Sequence, residues 1–160
     1  QREIGITDSV AFDKMALMQT FILTIPGVPV IYYGDEIGLT GANDPDCRRM
    51  MKFDGLSKRE NNLRERVKTL ATLRKNNPVF IYGDFINIQS ATDHWAYARK
   101  YFKDEAIILI NNSDKMKEIT IELPTHLHKT KFKSTFDSKF KTDGSKLTVS
   151  LPPYSSEILL

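Results

Sequence analysis

A single cysteine, Cys47, means that the chain has no internal disulfide and no cysteine-built metal cluster. That one thiol leaves the redox compartment open. No apolar stretch approaches the roughly 18 residues of a membrane span, so a membrane-crossing segment is not expected. An excess of one charge sign is missing too. Lys and Arg number 23 against 20 Asp and Glu, a net charge of +3, too small and too evenly spread to argue for nucleic acid or a membrane surface. The chain has no repeats and no low-complexity segments. It begins with Gln1 rather than Met and shows no signal peptide, which implies a processed chain or a fragment. What is present is globular in composition: 41% hydrophobic and 27% charged. The 160 residues suffice for one domain with a real core, or for a small domain plus a piece of another.

The two halves differ in texture. From Asp8 to Ile25, Phe12, Met15, Ala16, Met18, Ile22 and Ile25 recur at helical spacing, with Asp8 or Ser9 as N-cap. Pro26-Gly27 stops that helix. The run Val28 to Tyr33 then reads as a short strand buried on both faces, with Pro29 near its start. A loop rich in Gly, Asn, Asp and Pro follows over 34–54. Ser57-Lys58-Arg59-Glu60 forms a capping box that opens a second helix over 57–77. Leu63, Val67, Leu70, Ala71 and Arg74 share one of its faces, and only the arginine stem needs cover. Residues 1–77 therefore read as an αβα piece of a parallel α/β fold.

After Pro78 the pattern changes to short strands, expected at 79–82, 85–89, 94–102, 106–112, 117–123, 131–136, 146–151 and 156–160. Turns are marked by Gly83-Asp84, Asn111 to Asp114, Asp143-Gly144 and Pro152-Pro153. This spacing points to an antiparallel sandwich over 78–160. Trp95 and Tyr97 should share one face of their strand, with Ala96 and Ala98 on the other. A lone parallel strand cannot close a sheet, because its backbone needs partners on both sides. Residues 1–77 are thus expected to be the tail of a larger α/β domain. In such domains ligands sit beyond the carboxyl ends of the strands, where the loop 34–54 lies.

The stretch "GVPVIYYGDEIGLTG" resembles the last barrel strand of the α-amylase family of glycoside hydrolases. "NDPDCRR" is similar to the loop after that strand in neopullulanases and cyclomaltodextrinases. "LRKNNPVFIYGDF" looks like the family's passage to its C-terminal β-domain, and "LPPYSSEILL" suits that domain's last strand. The family's loop commonly continues with Arg-Arg-Pro-Met and a tryptophan, whereas this chain has Arg49-Met50-Met51 and Phe53. The resemblance implies an α/β fragment, the last strand and helices of a (β/α)8 barrel, followed by an all-β antiparallel sandwich. It implies retaining hydrolysis of α-1,4-linked glucans such as starch, pullulan or cyclodextrins. That reaction needs two carboxyl groups about 5–5.5 Å apart, and in the family these lie on earlier strands, so no catalytic residue carries over to this chain.

Asp44 and Arg48 match an Asp and an Arg, four apart, with which neopullulanase-like members bind sugar hydroxyls beside the cleaved bond. The alternative is a salt bridge that stiffens the loop, and the two roles are compatible. Asp35 and Glu36, as neighbours at a strand end, point to opposite sides and cannot flank one bond; a structural role near the cleft is expected for them. Asp46 and Arg49 are expected to be loop scaffolding. His126 and His128 have no third ligand nearby, so no metal site is expected, and no cofactor is implied. Trp95, Tyr97 and Tyr101 could form a carbohydrate platform, but such a row is more often an inner face of a sandwich. Cys47, beside two arginines, would have a lowered pKa but lacks a base or resolving thiol. The expected partner is an α-glucan oligosaccharide or polysaccharide, with self-association possible through the exposed barrel segment. Two rivals stand: a non-enzymatic carbohydrate-binding module, and a glucan transglycosylase or branching enzyme of the same family.

Overall fold

A computed structural model describes residues 9–127 and 131–160. Helix α1 spans Ser9–Thr24 and helix α2 spans Lys58–Asn76. Of the two expected N-caps of α1, Asp8 lies outside the described residues and Ser9 is the first residue of the helix. The capping box of α2 is present: Glu60 N donates to Ser57 Oγ at 3.3 Å, and Ser57 N donates to Glu60 Oε2 at 2.6 Å. A four-residue helix α3, Val79–Tyr82, leads into strands β1 (Asp84–Ser90), β2 (His94–Tyr101), β3 (Asp104–Asn111), β4 (Lys117–Glu122), β5 (Phe140–Asp143), β6 (Lys146–Leu151) and β7 (Ser155–Leu159).

The strands form two antiparallel sheets, ordered β1-β2-β3-β7 and β4-β6-β5. The first sheet lies in the middle of three layers. Its one face meets the helices, where Tyr97, Ala106, Ile108 and Ile158 pack with Leu17, Leu23, Leu63, Val67 and Leu70. Its other face meets the second sheet, where Ala96, Ala98, Ile107 and Leu109 pack with Ile119, Ile121, Leu147, Val149 and Leu151. Fully burying one such side chain is worth about 1.5–3 kcal/mol, so both interfaces are substantial. Alternation along β2 places Trp95 and Tyr97 together and Ala96 and Ala98 opposite, as the sequence pattern predicts. The aromatic row, however, faces the helices rather than the inside of the sandwich. The alanines face inward, where the second sheet comes closest.

Three expectations fail, each for a physical reason, and one strand is unexpected. The run 28–33 is not a buried strand. Val28 is 90% exposed and Val30 75% exposed, because no described segment pairs with its backbone. Residues 79–82 are helical, not extended: Pro78 sits in the right-handed region and starts a turn closed by Gly83 N on Val79 O. A Cβ on Gly83 would lie 2.3 Å from that oxygen, so only glycine ends this turn so tightly. Residues 131–136 form no strand beyond a single bridge from Ser134 to Leu159. Instead the chain wraps the Glu157 carboxylate, which accepts from Thr135 N (2.8 Å), Phe136 N (3.0 Å), Ser138 N (2.9 Å) and Ser134 Oγ (2.8 Å). A buried charge requires several donors, and this loop supplies them. Finally, the edge strand β5 carries a pattern too polar to announce itself from sequence.

Two buried arginines tie the layers together. Arg74 of α2 donates to Leu23 O (3.0 Å), Ile25 O (3.1 Å) and Gly27 O. Arg99 of β2 donates to Phe80 O (3.2 Å), Gly83 O (2.7 Å) and Thr24 O. Both thereby satisfy carbonyls at the end of α1 and complement its dipole. Beside them Thr24 Oγ1 and the Tyr97 hydroxyl are 2.6 Å apart, and burial pushes the Tyr97 phenol up to about 12.

Burial pushes the Glu157 carboxyl up, but the amide and hydroxyl donors of 134–138 outweigh it and leave the group below its ordinary value of 4.5. A lowered folded-state pKa contributes stability that is present above the unfolded value and lost as pH falls through the folded one. The Glu157→Gln variant should therefore be less stable than the parent at pH 7, with the gap closing below about pH 4.5. Urea unfolding midpoints at pH 7 and pH 3.5 measure this; an equal gap at both values would refute it.

Candidate functional site

The loop leaving Tyr33 opens with a tight turn. Gly34 has φ +92°, and a Cβ there would lie 2.7 Å from Leu39 Cβ, so glycine is required. The 3-10 turn Asp35–Ile37 follows, with Ile37 buried beneath it. Glu36 Oε2 accepts from Gly34 N at 2.9 Å, and Asp35 N donates to Tyr32 O at 3.0 Å. Both residues thus lie in a turn closed on itself, not at the end of a paired strand.

A second 3-10 turn, Asp46–Arg48, brings the loop's charges together. Arg49 donates to both Asp46 oxygens (2.7 and 2.8 Å) and to Thr40 Oγ1 (2.7 Å), while Ala42 N donates to Asp46 Oδ2 at 2.9 Å. The Arg49 contact holds the Asp46 carboxyl below its ordinary value. Tyr33 Oη donates to Arg49 O at 3.0 Å, tying the loop to the run before it. At the far end Lys52 donates to both Glu60 oxygens (3.1 and 3.0 Å), so the loop closes on the cap of α2.

Asp44 and Arg48 differ from this scaffold in exposure. Arg48 Nη2 donates to Asp44 Oδ2 at 3.0 Å, with the side chains 70% and 64% exposed respectively. Cys47 Sγ donates to the other oxygen, Asp44 Oδ1, at 2.8 Å. This bond to Asp44 pushes the Cys47 thiol up, and Arg48 only partly offsets it. That reverses the sequence expectation, which weighed the arginines and not the carboxylate. Desolvation, and then the hydrogen bond with Tyr33, raises the Tyr32 phenol as well. The Asp44–Cys47 contact has no sequence signal beyond an i,i+3 spacing, which becomes meaningful only in a 3-10 turn.

Elsewhere the row Trp95, Tyr97 and Tyr101 lies apart from this loop, in the core under the helices. His126 gives its carbonyl to Lys100 Nζ at 2.7 Å, and His128 lies outside the described residues. Among the described residues no three His, Cys, Asp or Glu side chains are grouped to hold a metal ion.

Residues 3–79 match the family model described as alpha amylase, catalytic domain. The cyclomaltodextrinase of Geobacillus thermopakistaniensis is 38% identical over 143 residues, covering 88% of this chain and 24% of that protein. Neopullulanase 2 of Thermoactinomyces vulgaris is 31% identical over 152 residues, covering 91% of this chain and 25% of that protein. The crystal structure of an Anoxybacillus α-amylase superposes with a TM-score of 0.80 at 30% identity, over 92% of this chain and 32% of that one. The chain belongs to the α-amylase family of glycoside hydrolases, and it spans about a quarter of the length of these curated relatives. Its helices and the loop between them are a barrel fragment, and its two sheets are the β-sandwich that follows.

The Cys47 environment is directly testable. Its thiol should react with an aromatic disulfide reagent at pH 8 more slowly than a free cysteine peptide does. Asp44→Asn removes the charge that holds the proton and should accelerate the reaction. An unchanged rate in that variant would show that Asp44 does not control the thiol.

Proposed function

We propose that this chain is the C-terminal part of a retaining hydrolase of α-1,4-linked glucans, with the barrel end in residues 1–77 and the β-domain in 78–160. The observation that carries the proposal is the Asp44–Arg48 pair, exposed and 3.0 Å apart on the loop of an α-amylase-family chain. An exposed ion pair contributes only about 0–1 kcal/mol to stability. Stiffening alone is thus a poor reason for this pair, since Asp46 and Arg49 already brace the loop. A carboxylate accepts from sugar hydroxyls and a guanidinium donates to them, so together they match the paired hydroxyls of a glucosyl ring. The names of the relatives, cyclomaltodextrinase and neopullulanase, support a glucan substrate. The two reacting carboxyl groups, about 5–5.5 Å apart in a retaining enzyme, are assigned to protein outside these residues. Asp35 and Glu36 shape the turn beside the cleft.

In the complete enzyme, Asp44→Ala and Arg48→Ala should each lower kcat/KM on cyclodextrin and maltooligosaccharide about 5- to 150-fold, or about 1–3 kcal/mol, without abolishing turnover. Unchanged values in both variants would leave the loop purely structural. Product analysis separates water from a second sugar as acceptor, and transfer products alone would mean a transglycosylase.

The chain of 160 residues by itself should release no reducing sugar from starch, pullulan or cyclodextrin. It should also self-associate through the exposed run at Val28 and Val30, whose backbone is left without ladder partners. Hydrolysis by contaminant-free material would overturn the placement of the chemistry. A monodisperse monomer in light scattering would overturn the association.

A further inference from the structure

Beside α1 a cavity of about 400 Å³, lined by no residue of the loop 34–54, opens between that helix and the ends of β2 and β3. The size is within the about 300–1,000 Å³ of small-molecule sites. Its apolar wall is made by Leu17, Met18, Phe21 and Trp95, and its polar rim by Lys14, Asp93, His94 and Asn112. Trp95 is half-buried, with Phe21 at 5.6 Å and Tyr97 at 4.8 Å between ring centroids. Its indole nitrogen donates to Asn87 Oδ1 at 2.7 Å, which fixes the ring. The rim is ordered as well. Asp93 lies between Lys117 and His94 Nδ1 (2.8 Å), and His94 Nε2 meets Gln89 at 2.8 Å. Lys117 and then His94 hold the Asp93 carboxyl below its ordinary value, so it remains an acceptor at neutral pH.

We infer that this cavity is a second carbohydrate site, which takes a glucosyl unit of an α-glucan away from the loop that carries Asp44 and Arg48. The inference rests on the glucan reading for its ligand class, but it uses none of the same residues. Two observations carry it. A fixed aromatic beside a fixed carboxylate and an exposed amide offers an apolar surface for the C–H face of a sugar, plus an acceptor and a donor for its hydroxyls. Trp95 also sits on the sheet, and Asp93 lies in the turn that enters β2, held there by Lys117 and His94, so the geometry is set before any ligand arrives.

Trp95 is the sole tryptophan, so its fluorescence reports on this cavity alone. Titrating the chain with maltoheptaose should give a saturable change in Trp95 emission. The Asn112→Ala variant, altered at an exposed position, should weaken the midpoint about three- to tenfold, as expected for one lost hydrogen bond. Ala91→Arg, which places a bulky side chain in the cavity wall, should abolish the response with an unchanged melting temperature. Asp44→Ala should leave the response intact, which separates this site from the proposed cleft loop. No emission change up to the solubility of the sugar, or a response that survives Ala91→Arg, would overturn the inference. So would a response that Asp44→Ala removes, because the loop would then be its source.

Discussion

Everything in this molecule hangs on how the end of α1 is held. Six carbonyls from Leu23 to Gly83 take hydrogen bonds from two buried guanidiniums, Arg74 on α2 and Arg99 on β2. Among the described residues no carboxylate hydrogen-bonds to either group, and burial lowers both guanidinium pKa values, Asp84 offsetting part of this for Arg99. A buried cation without an anion is tolerable only if dipoles surround it. Here the helix terminus and the α3 turn provide them. The arrangement joins one arginine from the helical layer and one from the sheet to the same short segment. The position of the run 28–33, and hence of the loop that follows it, is referred to both layers at once.

Local features were legible in the sequence wherever the interaction spans a few residues. The capping box at Ser57 and Glu60 is one example, because both partners lie within one turn. The i,i+4 pair of Asp44 and Arg48 is another. Alternation also sorted Trp95 and Tyr97 from Ala96 and Ala98 correctly, since a strand's two faces follow from its backbone alone. Which layer each face meets was not legible, because that depends on helices dozens of residues earlier. The stretch 131–136 has strand-like alternation of Phe132, Ser134 and Phe136, yet Glu157 draws its amides away from any ladder. The run 28–33 shows the converse. Its apolar composition announces burial, but composition cannot state whether the neighbours that would bury it are at hand.

The candidate loop divides its charges by task. Asp46 and Arg49 are consumed by backbone and side-chain contacts that shape the loop, and Glu60 anchors its end through Lys52. Asp44 and Arg48 remain open to solvent on that frame. A site of this kind gains precision from the residues that never touch a ligand. The cysteine belongs to that supporting set: its thiol donates to one oxygen of Asp44 while Arg48 donates to the other, so the carboxylate plane is fixed from both sides.

The difference between the two kinds of arginine contact has a consequence for the solutions in which the protein works. Dissolved ions screen charges that face water within about a Debye length, ~10 Å at 0.1 M, and the Asp44–Arg48 pair is of that kind. Arg74 and Arg99 bind neutral carbonyls in the interior, where added salt has nothing to displace. Brine therefore loosens the loop's outward pair long before it reaches the joint between the layers. Ionic strength acts on the exposed pair and spares the framework.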